Sequence, residues 1–301
     1  MEPAAGPDGP RLLVAGSVAL DTLDGPFGHV EGELGGSALY FSLAASLLLP
    51  VELVAPVGED GLDLVRAALA GRPIDLSGLT LVDAPTYRWQ ANQVQGRNQD
   101  LGSRDSIYDS WRPQPPAGFD GWAFVGSMRP DRQVEAAEAL AGARLLGADA
   151  MRSYVLRQPA EAVRLLDLST WYFCNHEEFT ALGGSDPEGF RAAHGLAGLC
   201  VKAGPDGVTA CTAEGLLAAP ALSRRPVVDT TGAGDALAGG MLAYWLRAGG
   251  GPEHLQDALL HGVACASIAI EELGLKALRR ATRADLEERV GEVRAALAGQ
   301  G

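Results

Sequence analysis

The residues best suited to chemistry stand in one short stretch, 229–240, whose sequence is DTTGAGDALAGG. An apolar strand candidate precedes this stretch, and a helical pattern starts within it. A helix that begins directly after a small-residue turn presents unpaired N–H groups and the positive end of its dipole, which together bind phosphate oxygens. Glycine lets the backbone approach an anion without a Cβ in the way. Gly232, Ala233 and Gly234 are therefore predicted to form an anion hole.

Asp235 follows this turn and has two interpretations. An acidic residue in the first turn of a helix is electrostatically favourable and needs no further role. A carboxylate beside an anion hole also suits a general base, which takes a proton from a hydroxyl while nearby N–H groups stabilise a transferring phosphoryl group. The surrounding glycines and the position at the carboxyl end of a strand favour the second interpretation. Asp235 is the predicted catalytic base.

Two commoner nucleotide-binding motifs do not fit the sequence. No GxxxxGK[ST] stretch occurs, which excludes a Walker A loop. The GxG at 232–234 is followed by Leu237 where a dinucleotide fingerprint has its third glycine, so a nicotinamide dehydrogenase is a weak alternative. A ligand-binding or regulatory protein without turnover is the other alternative. A carboxylate beside a phosphate site disfavours it, since a binding protein has no use for a base there.

The composition narrows the class of protein. The chain has 301 residues, 47% of them hydrophobic, and a formal net charge of −14. This length can bury a sizeable core, and an acidic surface repels a nucleic-acid backbone. No apolar run approaches the ~18 residues of a membrane span. Residues 1–10 lack a signal-peptide pattern, and the four cysteines have no paired CxxC spacing. We expect a cytoplasmic protein with reduced thiols, a disordered leader over 1–10 and neither nucleic-acid nor membrane partners.

The elements that must position these residues alternate between strands and helices. Such alternation predicts an α/β fold with three α/β/α layers and a mostly parallel central sheet. Between about residues 80 and 109, β-forming residues lack helical spacing, which indicates antiparallel strands outside the main layer. We therefore predict one domain over 11–301 with a small β-sheet lid formed by about 22–34 and 85–110. The strand candidates are 11–15, 51–57, 122–125, 170–174, 199–202, 208–211 and 226–228, and the helix candidates are 37–49, 60–70, 131–140, 176–182, 233–247, 252–272 and 283–297.

The stretch at 229–240 resembles the C-terminal signature of the ribokinase-like (PfkB) carbohydrate and nucleoside kinases, D-[TP]-x-G-A-G-D. Five other segments are similar to further motifs of that family, in the same chain order. The resemblance extends from about residue 11 to residue 297, and it implies the ribokinase-like fold and transfer of phosphate from ATP to a hydroxyl of a small sugar, polyol or nucleoside. The five segments are VAGSVALD at 14–21, GGSA at 35–38, VGEDG at 57–61, NHEE at 175–178 and VKAGPDG at 201–207.

On the acceptor side, the resemblance implies that Asp21, Gly35 and Gly36 bind the substrate. A carboxylate accepts two hydroxyl hydrogen bonds at once, although Asp21 could also simply begin a turn and the two glycines could only lead into a helix. Where ribokinase-type members commonly have an asparagine, this chain has Tyr40, which argues against ribose itself. Arg88 lies in a segment similar to a lid strand. It is a further candidate to bind a polar or anionic acceptor, or else it is a solvated residue of the sheet.

On the nucleotide side, the resemblance implies that Asn175 and Glu178 organise Mg²⁺ and its waters beside the ATP phosphates. Glu178 would act through water, because magnesium keeps most of its water ligands. The same pair has the spacing of a helix-capping box, and both roles can hold together. Lys202 and Gly204 would border the nucleotide, with a solvated strand end as the other interpretation of Lys202.

The resemblance also implies a cation and a partner. Asp229 and Thr231 match positions that, in some members, help to hold an activating monovalent cation such as K⁺. An exposed edge of the lid can pair between subunits, so a homodimer through the lid is a further expectation.

Overall fold

A nine-stranded sheet forms the centre of the fold. The computed structural model describes residues 9–94 and 97–299, without the side chain of Arg97. Seven strands are parallel, and the last two along one edge are antiparallel. From edge to edge they are β5 (Ile74–Leu81), β4 (Val51–Val57), β1 (Leu12–Ala15), β8 (Trp122–Val125), β9 (Leu145–Asp149), β10 (Trp171–Asn175), β11 (Gly198–Lys202), β12 (Val208–Thr212) and β13 (Gly215–Ala219).

Helices cover both faces of this sheet and give it two apolar cores. Alternate residues of β1 point to opposite faces, so Leu12 and Val14 enter one core while Leu13 and Ala15 enter the other. The three-layer arrangement predicted from the alternation is thereby confirmed. The first core holds α1 (Ser37–Ala45), α2 (Glu59–Leu69), α9 (Ala233–Arg247), α10 (Leu255–Ala269), α11 (Lys276–Arg280) and α12 (Arg283–Ala298), and the second holds α3 (Ile107–Ser110), α4 (Pro130–Ala139), α5 (Arg152–Arg157), α6 (Pro159–Leu168), α7 (His176–Ala181) and α8 (Pro187–Ala193).

A second, four-stranded sheet stands outside these layers. Its order is β3 (Gly28–Gly35), β2 (Ala19–Gly25), β6 (Arg88–Val94) and β7 (Arg97–Arg104), with antiparallel outer pairs and a parallel central pair. These strands come from the two segments expected to form a lid. We call this unit the small sheet. Pairing of its edge between subunits stays a prediction.

One predicted strand is wrong. Residues 226–228 form no strand; instead the Val228 N–H donates to the carbonyl oxygen of Ile270, just past the end of α10, at 2.8 Å. Pro226 has no N–H with which to join a ladder, and the polar residues before it lead out of β13 as an irregular segment. The chain therefore reaches the start of α9 as a loop held by a neighbouring helix.

Several elements between residues 74 and 219 escaped prediction. Among the described residues, the structure contains three strands and four helices there that were not expected: β5, β9, β13, α3, α5, α6 and α8. The reason is clearest for β9, whose sequence LLGAD contains residues that disfavour strands and is too short for a period to show. The leader predicted over 1–10 lies outside the described residues except for its last two positions. None of the described helices combines the length and apolarity needed to cross a bilayer.

Candidate active site

A large cleft separates the small sheet from the carboxyl edge of the nine-stranded sheet. Its volume is about 1530 Å³. The parallel strands β9, β10 and β11 end at this cleft with Asp149, Asn175 and Lys202, which is where open α/β sheets bind ligands. Asp21, Gly36, Gly204, Thr231 and the stretch 232–235 line the same cleft. Most of the residues selected from the sequence are thus brought together.

The start of α9 presents the predicted anion hole to the cleft. Gly232 caps the helix with φ 71°, and a Cβ there would lie 2.1 Å from Cγ of Tyr40. Only glycine fits this position, because both the backbone angle and the space exclude a side chain. Within the described part of the chain, the N–H groups of Gly232 and Gly234 donate no hydrogen bond to another residue. They remain available to an anion.

Asp235 lies in the first turn of α9, beside these N–H groups. Burial and the neighbouring charge of Asp149 raise the pKa of Asp235 to about 7, while Lys202 opposes the rise. A carboxylate poised near neutral pH is well matched to accept a proton during catalysis. The position and protonation of Asp235 are therefore suited to a general base and go beyond what complementing the helix dipole requires.

Lys202 is paired inside the site and is not a solvated strand end. Its Nζ lies 2.5 Å from Oδ2 of buried Asp149 and 2.8 Å from the place where a Cβ on Gly234 would stand. Burial opposes the charged form, but the carboxylates of Asp149 and Glu178 outweigh it and raise the pKa of Lys202 above its usual value. The ammonium therefore stays charged beside the anion hole, where it can contact a phosphate.

Asn175 and Glu178 form the capping box that their spacing predicted. The Asn175 Oδ1 accepts from the Glu178 N–H at 2.9 Å, and the Glu178 Oε2 accepts from the Asn175 N–H at 2.7 Å. Burial and the charge of Asp149 raise the pKa of Glu178 to about 8. The cap uses Oε2 of Glu178 and holds the side chain in the cleft, while the other carboxylate oxygen takes no part in the cap. Glu178 can therefore cap the helix and also contact a ligand.

At the other end of the cleft, Asp21 lies in β2 of the small sheet and not at the end of β1. Its side chain is buried, and its Oδ1 has no hydrogen-bond partner among the described residues. Burial, and next the charge of Asp229, raise the pKa of Asp21 well above its usual value. A buried acceptor without a donor is costly, so Asp21 is placed to receive hydroxyl hydrogen bonds from a ligand.

Gly35 and Gly36 make the space around Asp21. A Cβ on Gly35 would stand 2.5 Å from Oδ2 of Asp21, and one on Gly36, at φ 104°, would stand 2.4 Å from the carbonyl oxygen of Ser17. Gly36 also caps α1, so the helix-entry role holds as well. Tyr40 is buried between these glycines and Gly232, and its ring forms the floor of the site.

Arg88 is a selected residue that the structure places in a different pocket from the cleft. Its guanidinium pairs with Asp60 at 2.7 Å, in a separate pocket of about 300 Å³ that Arg104 also lines. The neighbouring residue Trp89 lines the main cleft instead. Successive residues of a strand face opposite sides, so the substrate side of β6 carries the tryptophan and its other side carries the arginine.

The loop before the anion hole is held in shape by the carboxylate of Asp229, one of its own residues. The Asp229 oxygens accept the N–H groups of Thr231 and Gly274, each at 2.9 Å. Asp229 is fully buried, so it shapes the turn that delivers Gly232. A monovalent cation beside Asp229 and Thr231 stays a prediction. Gly204 lines the nucleotide end of the cleft together with apolar residues that include Val263 and Ile270.

A family model described as pfkB family carbohydrate kinase matches residues 26–281, which include the start of α9 with Asp235 but begin after Asp21. The chain belongs to the pfkB family of carbohydrate kinases. The resemblance drawn from the motifs is confirmed, and so is the assignment of the chain as a kinase of ribokinase-like fold.

Named relatives of this pfkB kinase act on different acceptors. An ATP-dependent ribose-1-phosphate kinase from Halopiger xanaduensis is 28% identical over 260 residues, covering 83% of this chain and 84% of the relative. A cytidine kinase from Thermococcus kodakarensis is 27% identical over 251 residues, covering 78% and 88%. Among solved structures, the Burkholderia thailandensis nucleoside kinase in complex with inosine superposes with a TM-score of 0.77 over 94% of this chain and 98% of that one. Its 20% identity shows the shared fold alone.

Two residues of this pfkB kinase's site were missed by sequence reasoning. Asp149 ends a strand that was itself not predicted, so its position at the carboxyl edge went unnoticed. An acid directly after a short apolar run was the available signal. Trp89 follows Arg88 in the same strand, and no sequence signal shows which face of that strand meets the cleft.

Proposed function

We propose that this kinase transfers the γ-phosphoryl group of ATP to a hydroxyl of a nucleoside, with Asp235 as general base. One observation carries the proposal. Asp235 beside free N–H groups at a helix start and Asp21 with an unpartnered buried oxygen line the same cleft. The first arrangement suits a terminal phosphate and the second suits a hydroxylated acceptor.

The transfer needs no covalent enzyme intermediate. The acceptor hydroxyl attacks the γ-phosphorus and gives its proton to Asp235. A new O–P bond forms, and the bond from the γ-phosphorus to the β–γ bridging oxygen breaks, so that ADP leaves. The N–H groups of Gly232 and Gly234 and the ammonium of Lys202 stabilise the negative charge on the phosphoryl oxygens during this step.

The residues on the donor side fit a divalent cation. The carboxylates of Asp149, Glu178 and Asp235 all act on the Lys202 ammonium. Burial, and next the charge of Asp149, raise the pKa values of Glu178 and Asp235. No group of three or more His, Cys, Asp or Glu within the described residues can hold a metal by itself. This suits Mg²⁺ held near Asn175 and Glu178 through water and phosphate oxygens. When bound, Mg²⁺ supplies positive charge against the phosphates.

The acceptor end favours a neutral, aromatic acceptor. Trp89 lines the cleft and supplies its backbone N–H to Asp21 on the neighbouring strand. An indole face can stack on a nucleobase while the carboxylate holds ribose hydroxyls. The cleft-lining cations among the described residues are Arg152 and Lys202, and both belong to the donor side, where Arg152 pairs with Glu177 at 3.7 Å. The acceptor end presents carboxylates, which repel the phosphate group of a phosphorylated sugar.

An acceptor panel tests the substrate class. ADP formation from ATP is measured with cytidine, inosine, ribose and ribose 1-phosphate, and without an acceptor. We expect the nucleosides to give the highest kcat/KM. A preference for ribose 1-phosphate would remove the nucleoside assignment while keeping the kinase, and no ADP above the acceptor-free rate with any of them would count against the proposed transfer to these acceptors.

Asp21→Asn is expected to raise the acceptor KM by roughly 10- to 100-fold and to leave the KM for ATP nearly unchanged. Hydrogen bonds from hydroxyls to a charged acceptor are worth about 1.5–3 kcal/mol, and only the acceptor makes them here. Steady-state kinetics with each substrate varied in turn measures both constants. Asp24→Asn, on the same strand but exposed, is the matched control. An unchanged acceptor KM with a raised KM for ATP would place Asp21 at the wrong end of the cleft.

We expect kcat/KM to rise with pH through about 7, where Asp235 loses its proton. Below that pH the carboxyl group already holds a proton and cannot take another from the acceptor. Asp149→Asn removes a charge that raises the pKa, so the midpoint of the rise should move to lower pH. Asp63→Asn, whose side chain is 96% exposed on α2, should not move it. A profile that stays flat on both sides of neutrality contradicts the assignment.

A further inference from the structure

The small sheet contacts the loop that carries the anion hole. Gln93 near the end of β6 and Asn98 near the start of β7 are directly paired across the two strands. Both side chains reach the segment 228–231, which immediately precedes Gly232. The contacts join parts of the chain that are 137 residues apart in sequence. Gln93 itself lies beside Gly25 at the end of β2, where a Cβ would stand 3.2 Å from the Gln93 Cβ.

The Gln93 amide is complementary to the loop backbone. With its nitrogen facing the Val228 carbonyl oxygen at 2.8 Å and its oxygen facing the Thr230 N–H at 2.7 Å, each polar atom of the amide has a partner of the opposite kind. The same amide contacts the Thr230 Oγ1 at 2.9 Å. Asn98 adds a bond from its Nδ2 to the Thr231 Oγ1 at 3.2 Å. Together they hold the loop through the backbone of Val228 and Thr230 and through the side chains of Thr230 and Thr231.

The burial of Gln93 sets it apart from the other polar residues of its strand. Its side chain is 9% exposed, although glutamine is mostly found at protein surfaces. Gln90, on the same strand, is exposed and forms no side-chain hydrogen bond within the described residues. Gln93 does not line the cleft. Any effect it has on a bound substrate must therefore pass through its neighbours, the loop and Asn98.

The loop has few other supports on this side. Asp229 holds it internally through Thr231 and externally through Gly274, and the Val228 N–H is tied to Ile270. The Val228 carbonyl and the Thr230 N–H are left for Gln93. A shift of this loop moves Gly232 and the N–H groups next to it, because no residue intervenes between Thr231 and the helix cap.

We propose that Gln93 is a positioning residue, which couples the seating of the small sheet over the acceptor to the placement of the anion hole. The inference rests on the proposed function. When the small sheet is seated, Gln93 holds residues 228–230 and the N–H groups of Gly232 and Gly234 face the γ-phosphate. When the sheet lifts, the loop loses these bonds and the phosphoryl group is not activated. Such coupling limits transfer to water when no acceptor is enclosed.

The test compares Gln93→Ala with Gln90→Ala, the same change on the same strand at an exposed position. For Gln93→Ala we expect kcat to fall roughly 10- to 100-fold, as for a misplaced catalytic group, with a smaller change in the acceptor KM. The fraction of ATP turnover in which water, and not the acceptor, takes the γ-phosphoryl group should rise. A variant that merely lowers the amount of folded enzyme reduces both reactions equally and leaves that fraction unchanged.

A second readout does not depend on activity. Backbone hydrogen exchange of peptides covering 229–236, measured without substrates, should be faster in Gln93→Ala than in the parent protein and unchanged in Gln90→Ala. If the parent phosphorylates no acceptor, the proposed function fails while the exchange result still decides the inference. Equal exchange in both variants, or a kcat and water fraction in Gln93→Ala that match those of Gln90→Ala, would overturn it.

Discussion

Replacing Asp235 by asparagine is expected to lower kcat by roughly 10²- to 10⁴-fold, the range associated with loss of general acid–base catalysis. Asparagine has the same size and cannot take up the acceptor proton. Binding of ATP should survive, because the N–H groups of Gly232 and Gly234 and the ammonium of Lys202 stay in place. Removing one of the three carboxylates near Lys202 also lessens the repulsion that a nucleotide meets. The rise of activity around neutral pH should vanish together with the rate.

The experiment separates the two interpretations of an acid in a first helical turn. Asp257 occupies the first turn of α10 and pairs with Arg294 at 2.9 Å, so Asp257→Asn is a matched control for the helix-dipole effect. If Asp235 only complements the dipole, both variants lose a few tenths of a kcal/mol of stability and keep their rates. Acceptor-dependent ADP release and nucleotide affinity by calorimetry are the measurements. A kcat for Asp235→Asn within a few-fold of the parent value would remove Asp235 from its catalytic role.

The part of the site that could be predicted consists of residues that lie close to one another along the chain. The anion hole, its glycines and Asp235 lie within one loop-to-helix connection, so their mutual geometry follows from the way a helix begins. The capping pair Asn175 and Glu178 is local in the same sense. For these residues the backbone between them is short and regular, and side-chain types alone indicate what they face.

The remainder depends on contacts that no local pattern encodes. Asp149 meets Lys202 because β9 and β11, on either side of β10, end at the same edge of the sheet, and this requires knowing the strand order and finding β9. Gln93 meets Thr230 only after the small sheet folds over the cleft. Arg88 illustrates the sensitivity to register, since a shift of one residue along a strand exchanges its two faces. Arg88, the side chain selected from the sequence, faces Asp60, and its neighbour Trp89 faces the cleft.

Gly232→Ala is expected to cause the largest combined loss of stability and activity. An alanine at φ 71° costs about 1–2 kcal/mol, and its Cβ would stand 2.1–2.4 Å from three carbons of the Tyr40 ring. Relieving that overlap moves a buried ring or the helix start and costs about 1–3 kcal/mol more. Either movement displaces the N–H groups aimed at the γ-phosphate, so kcat should fall by roughly 10²-fold even in the folded fraction.

Gly71→Ala isolates the backbone part of this effect. Gly71 has φ 78°, and nothing lies within 4 Å of a Cβ built there, so its variant should lose about 1–2 kcal/mol and keep full kcat. Denaturant unfolding of both variants gives the two free-energy differences, and the excess for Gly232→Ala measures the collision with Tyr40. Adding Tyr40→Ala removes the ring that the new Cβ meets, so the double variant should lose less stability than the sum of the two single variants. Equal losses in Gly232→Ala and Gly71→Ala would mean that the helix start accepts a side chain, and an anion hole that depends on this close approach would then be excluded.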